Sequence, residues 1–541
     1  MKLSSSLLPL VLASCAFAAG PIVDLGQAGK FEGFIDATYN VSTFLGIPFA
    51  APPLGNLRWQ PPTAPAQNSS VQQVTTQPPI CPQGSFGTNA TANPLLVRRD
   101  ISPPQSEDCL YLNVYSPSLT PKKLLPTLVW IHGGGALFAG YFVGGVPFYN
   151  GTELILESNR EVVVVMMQYR LGLFGFLAGE QIHQHGVANA GLLDQQFALR
   201  WVQENVAKFG GDPKHVTIWG ESAGAGSVFQ HIVANGGRTE PQLFHAAITS
   251  STAVEAQYPY NHWIPQASMS TFFNEVSKLA GCANATNLDC LRAVDSDTLS
   301  TLNLNIDIAA FYGSIAFLPV IDGSFIAENP LAQVAKGKVN GEIYLGVTNS
   351  DESVIFVDSS LPSYDVAQYT RNMLPALSVA QSEEVAKVYA GVGGSALEQI
   401  YTLLTESIFV CPSHYILDAF PGKSYKGQFA IAPALHEDDL VYYFPSFPGL
   451  SPGIPKFNNT QFIDAFNTGF LSFAVNYNPN DKIKETIAPN WPLWNAESRE
   501  IMVFNQTQGA DPQPAVGLQK VDEGMLQRCE FWRQLLIETC Q

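Results

Sequence analysis

Gly220-Glu221-Ser222-Ala223-Gly224 sets a serine between two glycines. The β-branched and aromatic run Val216-Thr217-Ile218-Trp219 precedes it, and in the stretch from Ala223 to Asn235 that follows, Val228, Ile232 and Val233 recur at helical spacing. A strand, a sharp turn and a helix in that order strain the serine backbone and expose its hydroxyl, while small neighbours let strand and helix approach closely. The chemistry this suits is nucleophilic attack on an acyl carbon. Alone, the pattern is weak in a chain with 44 glycines, so the partners that such a serine requires decide its meaning.

One partner is a site for the negative charge that develops on the attacked carbonyl oxygen. Leu128-Val129-Trp130-Ile131 reads as a buried strand and empties into His132-Gly133-Gly134-Gly135. Glycines leave no Cβ between backbone N–H groups and an oxyanion. Gly134, Gly135 and Ala223, the residue after the serine, are the expected donors. Losing one such donor costs about 3 kcal/mol of transition-state stabilisation. The competing reading is a plain flexible loop.

A serine hydroxyl also needs a base and a carboxylate to orient that base, and after such an elbow the acid and then the histidine follow in the chain. Only His231, His245, His262, His414 and His436 follow Ser222. His231 belongs to the helix leaving the elbow and His245 opens the strand-like Ala246 to Thr249, so both read as structural. His414, in Cys411-Pro412-Ser413-His414, reads as the start of a helix. His436 stands in a loop just after the apolar Phe429-Ala430-Ile431-Ala432, where a strand end would present it to the site. The strand-like Glu342 to Val347 runs into Asp351-Glu352-Ser353, and these two adjacent carboxylates compete for the orienting role. The residues alone leave Asp351 and Glu352 both open.

The elements that must position these groups are short N-terminal strands, then alternating strands and helices such as Leu192 to Lys208, then a last strand Ile501 to Phe504 and a C-terminal helix Gly524 to Thr539. That order predicts an α/β fold with a large, mostly parallel sheet wrapped by helices. The Pro- and Gln-rich patches at Pro61 to Pro79 and Gly509 to Pro514 read as loops within one domain, and no internal repeat is apparent.

Further segments make the chain similar to the type-B carboxylesterase and lipase family. They are Gly46-Ile47-Pro48-Phe49-Ala50 with Pro52-Pro53 and Arg58, Glu107-Asp108-Cys109-Leu110-Tyr111-Leu112-Asn113-Val114, and Tyr169-Arg170-Leu171-Gly172. Asn189-Ala190-Gly191-Leu192-Leu193-Asp194-Gln195 and Phe209-Gly210-Gly211-Asp212-Pro213 follow in the family's order. The resemblance covers nearly the whole chain after its leader and implies an α/β-hydrolase fold with insertions and a Ser-Glu-His triad. It assigns the acid to Glu352, and the family's histidine motif falls on His436. It also implies structural ion pairs Arg58 with Glu107 and Arg170 with Asp194, and disulfides Cys81 to Cys109, Cys282 to Cys290 and Cys411 to Cys529. Cys540 is left over.

The implied activity is hydrolysis of carboxylic esters through an acyl-enzyme. Small-molecule or lipid esters are the substrate class, with no cofactor. Triacylglycerol lipase or sterol esterase is the alternative within the family. A non-catalytic adhesion protein on the same fold is the rival outside it, but relatives of that kind lack the serine or the histidine. Three positions depart from the family pattern: Ala136-Leu137-Phe138 follows the oxyanion glycines, Gln168 stands before Tyr169, and Ser250-Ser251-Thr252 replaces Q-S-G. No tryptophan lies between Cys81 and Cys109, which argues against a choline ester held by cation–π contact. The Cys81 to Cys109 loop is lid-like. Phe86, Leu95, Leu96 and Val97 could form an apolar underside, whereas Arg98, Arg99 and Asp100 would keep it wet; an interfacial lid and a disulfide-closed surface loop fit it equally.

Met1-Lys2, the apolar Leu7 to Ala18 and the Ala16-Phe17-Ala18 site read as a signal peptide spanning residues 1–18, leaving 19–541 as a single catalytic domain. Secretion to the extracellular space is the expected address. Asn40, Asn68, Asn89, Asn150, Asn284, Asn458 and Asn505 are glycosylation candidates. Cys15 departs with the leader, so seven cysteines remain in an oxidising compartment. With 46 acidic against 28 basic residues the net charge is −18, which disfavours nucleic acid and anionic membranes as partners. No apolar run after the leader is long enough for stable membrane insertion. His183-Gln184-His185 has a ligand-like spacing but no recognisable partner, so no metal site is expected, and Gly391, Gly393 and Gly394 form no nucleotide fingerprint. Oligomeric state is not written in the motifs.

Overall fold

The computed structural model describes residues 20–88, 104–134, 141, 143–262, 269–283, 288–447 and 457–541. The expected leader, Gly135 to Phe138, the sequons Asn89 and Asn284, and Leu95 to Asp100 of the lid-like loop lie outside the described residues.

The strands in chain order are β1 (Ile22–Asp24), β2 (Lys30–Glu32), β3 (Phe34–Asp36), β4 (Val41–Pro48), β5 (Val71–Gln73), β6 (Tyr111–Ser116), β7 (Leu125–Ile131), β8 (Val163–Met167), β9 (Gly211–Glu221), β10 (Ala246–Ser250), β11 (Ile343–Asn349), β12 (Ser424–Phe429), β13 (Glu500–Gln506) and β14 (Pro514–Lys520). Eleven of them form one sheet in the order β14-β13-β12-β11-β10-β9-β7-β8-β6-β4-β3, and β1, β2 and β5 form a small second sheet. From β8 to β13 every pairing is parallel; the outer strands β14, β6, β4 and β3 are antiparallel.

The central strands read as unbroken apolar runs because both faces are covered. In β8, Val163, Val165 and Met167 enter one buried cluster, while Val164 and Met166 enter the other. In β7 the same alternation sends Val129 and Ile131 one way and Leu128 and Trp130 the other. This period of two is what a two-sided sheet imposes.

The last predicted strand needs correction, because β14 follows β13 and pairs with it antiparallel at the sheet edge. Its residues Pro514-Ala515-Val516-Gly517-Leu518-Gln519-Lys520 are half-buried or exposed and start with proline, features of an edge strand that carry no core pattern. The expected C-terminal helix is likewise two helices, Glu523–Gln534 and Leu536–Thr539.

The three disulfides implied by the family resemblance are formed, and Cys540 is free. Both implied ion pairs are present and buried. Arg58 donates Nε to Glu107 Oε2 at 2.8 Å, and Arg170 donates Nε and a terminal nitrogen to the two carboxylate oxygens of Asp194, each at 2.7 Å. Burial pushes the Asp194 carboxyl up despite the guanidinium, so this pair orients the chain rather than adding much net stability. Removing one partner is a different matter. Asp194→Ala leaves the Arg170 charge buried without its counterion and is expected to lower unfolding free energy by about 3–5 kcal/mol, measured by urea titration. A loss under 1 kcal/mol would show that Arg170 finds other partners.

Candidate active site

Four strand ends converge. Gly133 and Gly134 follow β7, Ser222 follows β9, Glu352 lies just past β11, and His436 lies in the loop after β12. The carboxyl edge of a parallel sheet is where α/β proteins build their sites, since successive loops meet there.

Ser222 sits at φ 58°, ψ −125°, between β9 and the helix starting at Ala223. A non-glycine residue in that region is strained, and strain of this kind persists only where surroundings hold it. The flanking glycines are required by contact. A Cβ on Gly220 would lie 2.4 Å from the Gly224 carbonyl, and one on Gly224 would lie 2.1 Å from the Ile131 carbonyl oxygen. The elbow is thereby packed against the end of β7, which brings the Gly133-Gly134 turn to the serine. Ala223 opens the helix, where backbone N–H groups have no intrahelical acceptor. Gly134 is buried just past β7, and Tyr169 braces the turn by donating its hydroxyl to the His132 carbonyl at 2.7 Å while stacking on the His132 ring at 4.5 Å. Burial pushes His132 down to about 4, so this imidazole is neutral and structural.

On the other side, His436 Nδ1 and Glu352 Oε2 are 2.6 Å apart, and the second Glu352 oxygen accepts from the Asn349 N–H at 2.7 Å. Both residues are fully buried. Asp351 is exposed and makes no hydrogen bond to His436, its backbone bridging to Leu435. The imidazole is held edge-on by Phe356 and against Phe409, with ring centroids 5.2 and 5.0 Å away. His436 Nε2 lies 3.4 Å from Glu221 Oε1, on the residue adjoining the serine. No hydrogen bond joins Nε2 to Ser222 Oγ; both atoms are buried and unpartnered. Such links often tighten only when substrate arrives.

The other histidines sort as expected. His231 is buried in the post-elbow helix with its Nε2 3.1 Å from Gln195 Oε1, and His414 is buried within the helix Cys411–Asp418. Gln168 donates to the carbonyls of Pro79 and Cys109 at 2.9 and 2.8 Å, tying down the base of the disulfide loop. Phe86 is buried near Tyr312, so it is no exposed lid residue.

Sequence reasoning missed the acids around His436. Glu221, Glu437 and Asp439 are all fully buried. Burial, reinforced by Glu437 and Asp439, raises Glu221 well above the usual carboxylate range, and burial with Asp439 does the same to Glu437. Burial, with the nearby Glu352 charge, pushes Asp439 up to about 7. A run such as His436-Glu437-Asp438-Asp439 ordinarily marks a solvated face, which is why composition concealed it.

Beside the imidazole, on the far side of Phe356 and Phe409, opens a cavity of about 810 Å³. Apolar side chains including Ile306, Leu318 and Ile408 line most of it, and Glu255, which follows β10, is one of the acids in its wall. Glu255 keeps part of its surface open to this space, yet the apolar walls push its carboxyl up to about 7.

A strained serine at the tip of a strand-turn-helix elbow, on the carboxyl edge of a central parallel sheet, defines an α/β-hydrolase. The carboxylesterase family model matches residues 19–532. Liver carboxylesterase of Sus scrofa is 32% identical over 556 residues, covering 93% of this chain and 94% of that protein. Lipase 4 of Diutina rugosa is 32% identical over 526 residues, covering 89% of this chain and 91% of that protein. Among solved structures, Aspergillus niger EstA matches with a TM-score of 0.80 and 29% identity, covering 97% of this chain and 99% of that one. The chain belongs to the carboxylesterase family and is a carboxylic ester hydrolase.

Proposed function

We propose that Ser222 attacks the ester carbonyl while His436 Nε2 accepts its proton. The tetrahedral oxyanion rests on the N–H groups of Gly134, Gly135 and Ala223; collapse expels the alcohol, protonated by His436, and leaves an acyl group on Ser222 Oγ. Water, deprotonated by His436, then releases the acid and restores the serine. Glu352 keeps the Nδ1 proton in place and stabilises the imidazolium. The observation that carries this reading is the 2.6 Å Glu352 to His436 contact, with Nε2 turned toward the Glu221-Ser222 step.

Residues 1–18 act in this reading as a secretion signal ahead of one catalytic domain, 19–541. Three disulfides support an oxidising destination, and Asn40, Asn68 and Asn458 are exposed and open to glycosylation, with Asn150 and Asn505 half-buried. No helix among the described residues is long and apolar enough to cross a membrane.

The cavity favours a bulky apolar ester and so keeps the lipase or sterol esterase reading alive. p-Nitrophenyl esters of rising acyl length, in solution and emulsified, test both. Activity that climbs with chain length, and climbs again on emulsion, supports the lipase reading; confinement to short soluble esters removes it. Glu255 adds a pH signature. Below about 7 its carboxyl is neutral; above, a charge faces the apolar tail and must be desolvated as the tail enters. The kcat/KM ratio of Glu255→Gln to wild type for a long-chain ester should be near one at pH 5.5 and several-fold higher at pH 8.5. A ratio independent of pH would place the tail elsewhere.

A further inference from the structure

Two glutamates and the outer nitrogen of the histidine meet on the side of the imidazole away from Glu352. His436 Nε2 is 3.4 Å from Glu221 Oε1, and one donor atom each from Glu221, His436 and Glu437 lies within 4.8 Å of the other two. All three side chains are fully buried, and Nε2 and both carboxylate oxygens of each glutamate have no hydrogen-bond partner. Buried polar atoms are rarely left so, and an unpartnered donor from each of three converging side chains marks a place that suits a cation. Glu437 is held there at a backbone φ of 69°, where a side chain other than that of glycine is strained.

The donor geometry selects among cations. A tetrahedral ion with bonds of 2.0–2.2 Å sets its ligand atoms about 3.4 Å apart, which is the observed Nε2 to Oε1 separation. Glu437 offers the third donor, within 4.8 Å of the other two, and a side-chain movement brings it to the third corner. Glu352 accepting from Nδ1–H leaves the Nε2 lone pair directed at the cluster, the orientation a carboxylate gives to a metal-binding histidine. One imidazole nitrogen and two carboxylates suit Zn²⁺, whereas Mg²⁺ and Ca²⁺ prefer oxygen donors alone. No metal site was expected, because the ligand-like spacing of His183 and His185 has no recognisable partner; these other donors come from two distant segments and meet only in the fold.

We propose that Glu221, His436 and Glu437 form a reversible inhibitory Zn²⁺ site, which when filled takes the lone pair that would otherwise accept the Ser222 proton. The inhibitory consequence rests on the catalytic reading of His436; the binding does not. Zn²⁺ coordinates through the Nε2 lone pair and one oxygen of each glutamate, displacing to solvent the protons that the raised carboxyls hold, and leaves by chelation as those protons return, with no covalent or redox step.

Zn²⁺ titration against a metallochromic indicator, on wild type and on Ser222→Ala, tests the site directly. One Zn²⁺ per chain is expected in both, undisplaced by a hundred-fold excess of Mg²⁺. Glu437→Gly, which also relieves the strained φ, and Glu437→Gln should each weaken binding by about tenfold or more and raise the half-inhibitory Zn²⁺ concentration in step. Absence of a stoichiometric site in wild type, or affinity unchanged in both Glu437 variants, overturns the proposal. Zn²⁺ bound by a Ser222→Ala protein that still hydrolyses esters would support the site and remove the serine mechanism.

Discussion

Ser222→Ala is expected to lower kcat for a p-nitrophenyl ester by about 10⁶-fold, the scale seen when a serine nucleophile is removed from a cooperating unit. KM should change little, because the cavity and the oxyanion turn are untouched. The substitution is mild for the fold. Ser222 Oγ makes no hydrogen bond, so its removal leaves no buried group newly unpaired. The variant should therefore unfold at the wild-type denaturant midpoint, which separates lost chemistry from lost structure. A rival hydroxyl stands close by in the chain order of the strand ends. Ser251, at φ 55° just past β10, is also buried with an unpartnered Oγ. Hydrolysis surviving in Ser222→Ala but absent in Ser251→Ala would move the nucleophile there.

Glu352→Gln is expected to cost about 10⁴-fold in kcat, the loss found when an orienting carboxylate becomes an amide and the imidazole takes the wrong tautomer. The amide can present its NH₂ to Nδ1, in which case Nδ1 becomes the acceptor, Nε2 carries the proton, and the base is lost. Shape is conserved and the Asn349 N–H keeps an oxygen to donate to, so folding should survive. Asp351→Asn is the matched control. Its side chain is exposed, and activity within about twofold of wild type is expected. Equal losses in the two variants would mean that the acid has been misassigned.

Much of this site was legible because its parts obey local rules. Gly220, Ser222 and Gly224 announce a turn that only small residues permit, and the contacts a Cβ would meet there bear out that reading. The strands β7, β9 and β11 were readable as apolar runs because a two-sided core demands them. β12 was misplaced: the strand end was expected in the apolar Phe429 to Ala432, but the strand is Ser424–Phe429, and it carries a buried lysine whose Nζ donates to Thr348 Oγ1 at 2.7 Å, which no composition rule predicts. β14 was hidden for the opposite reason, as an edge with little to bury. The choice of Glu352 over Asp351 lay beyond the bare residues because it depends on which way one loop residue turns. The acids around His436 were invisible for a related cause. Their adjacency exists only after β9 and the loop following β12 come together, and their burial contradicts the solvated face that such a charge run usually marks.

The central claim is that an acyl group passes through Ser222 Oγ. Acid-quenching the enzyme during turnover of a slowly deacylating p-nitrophenyl ester, followed by mass analysis of its peptides, tests this most directly. The account predicts one acyl adduct per chain, on the peptide bearing Ser222 and absent from Ser222→Ala. An adduct on another residue, or full turnover with no adduct and no burst of p-nitrophenol, would contradict it.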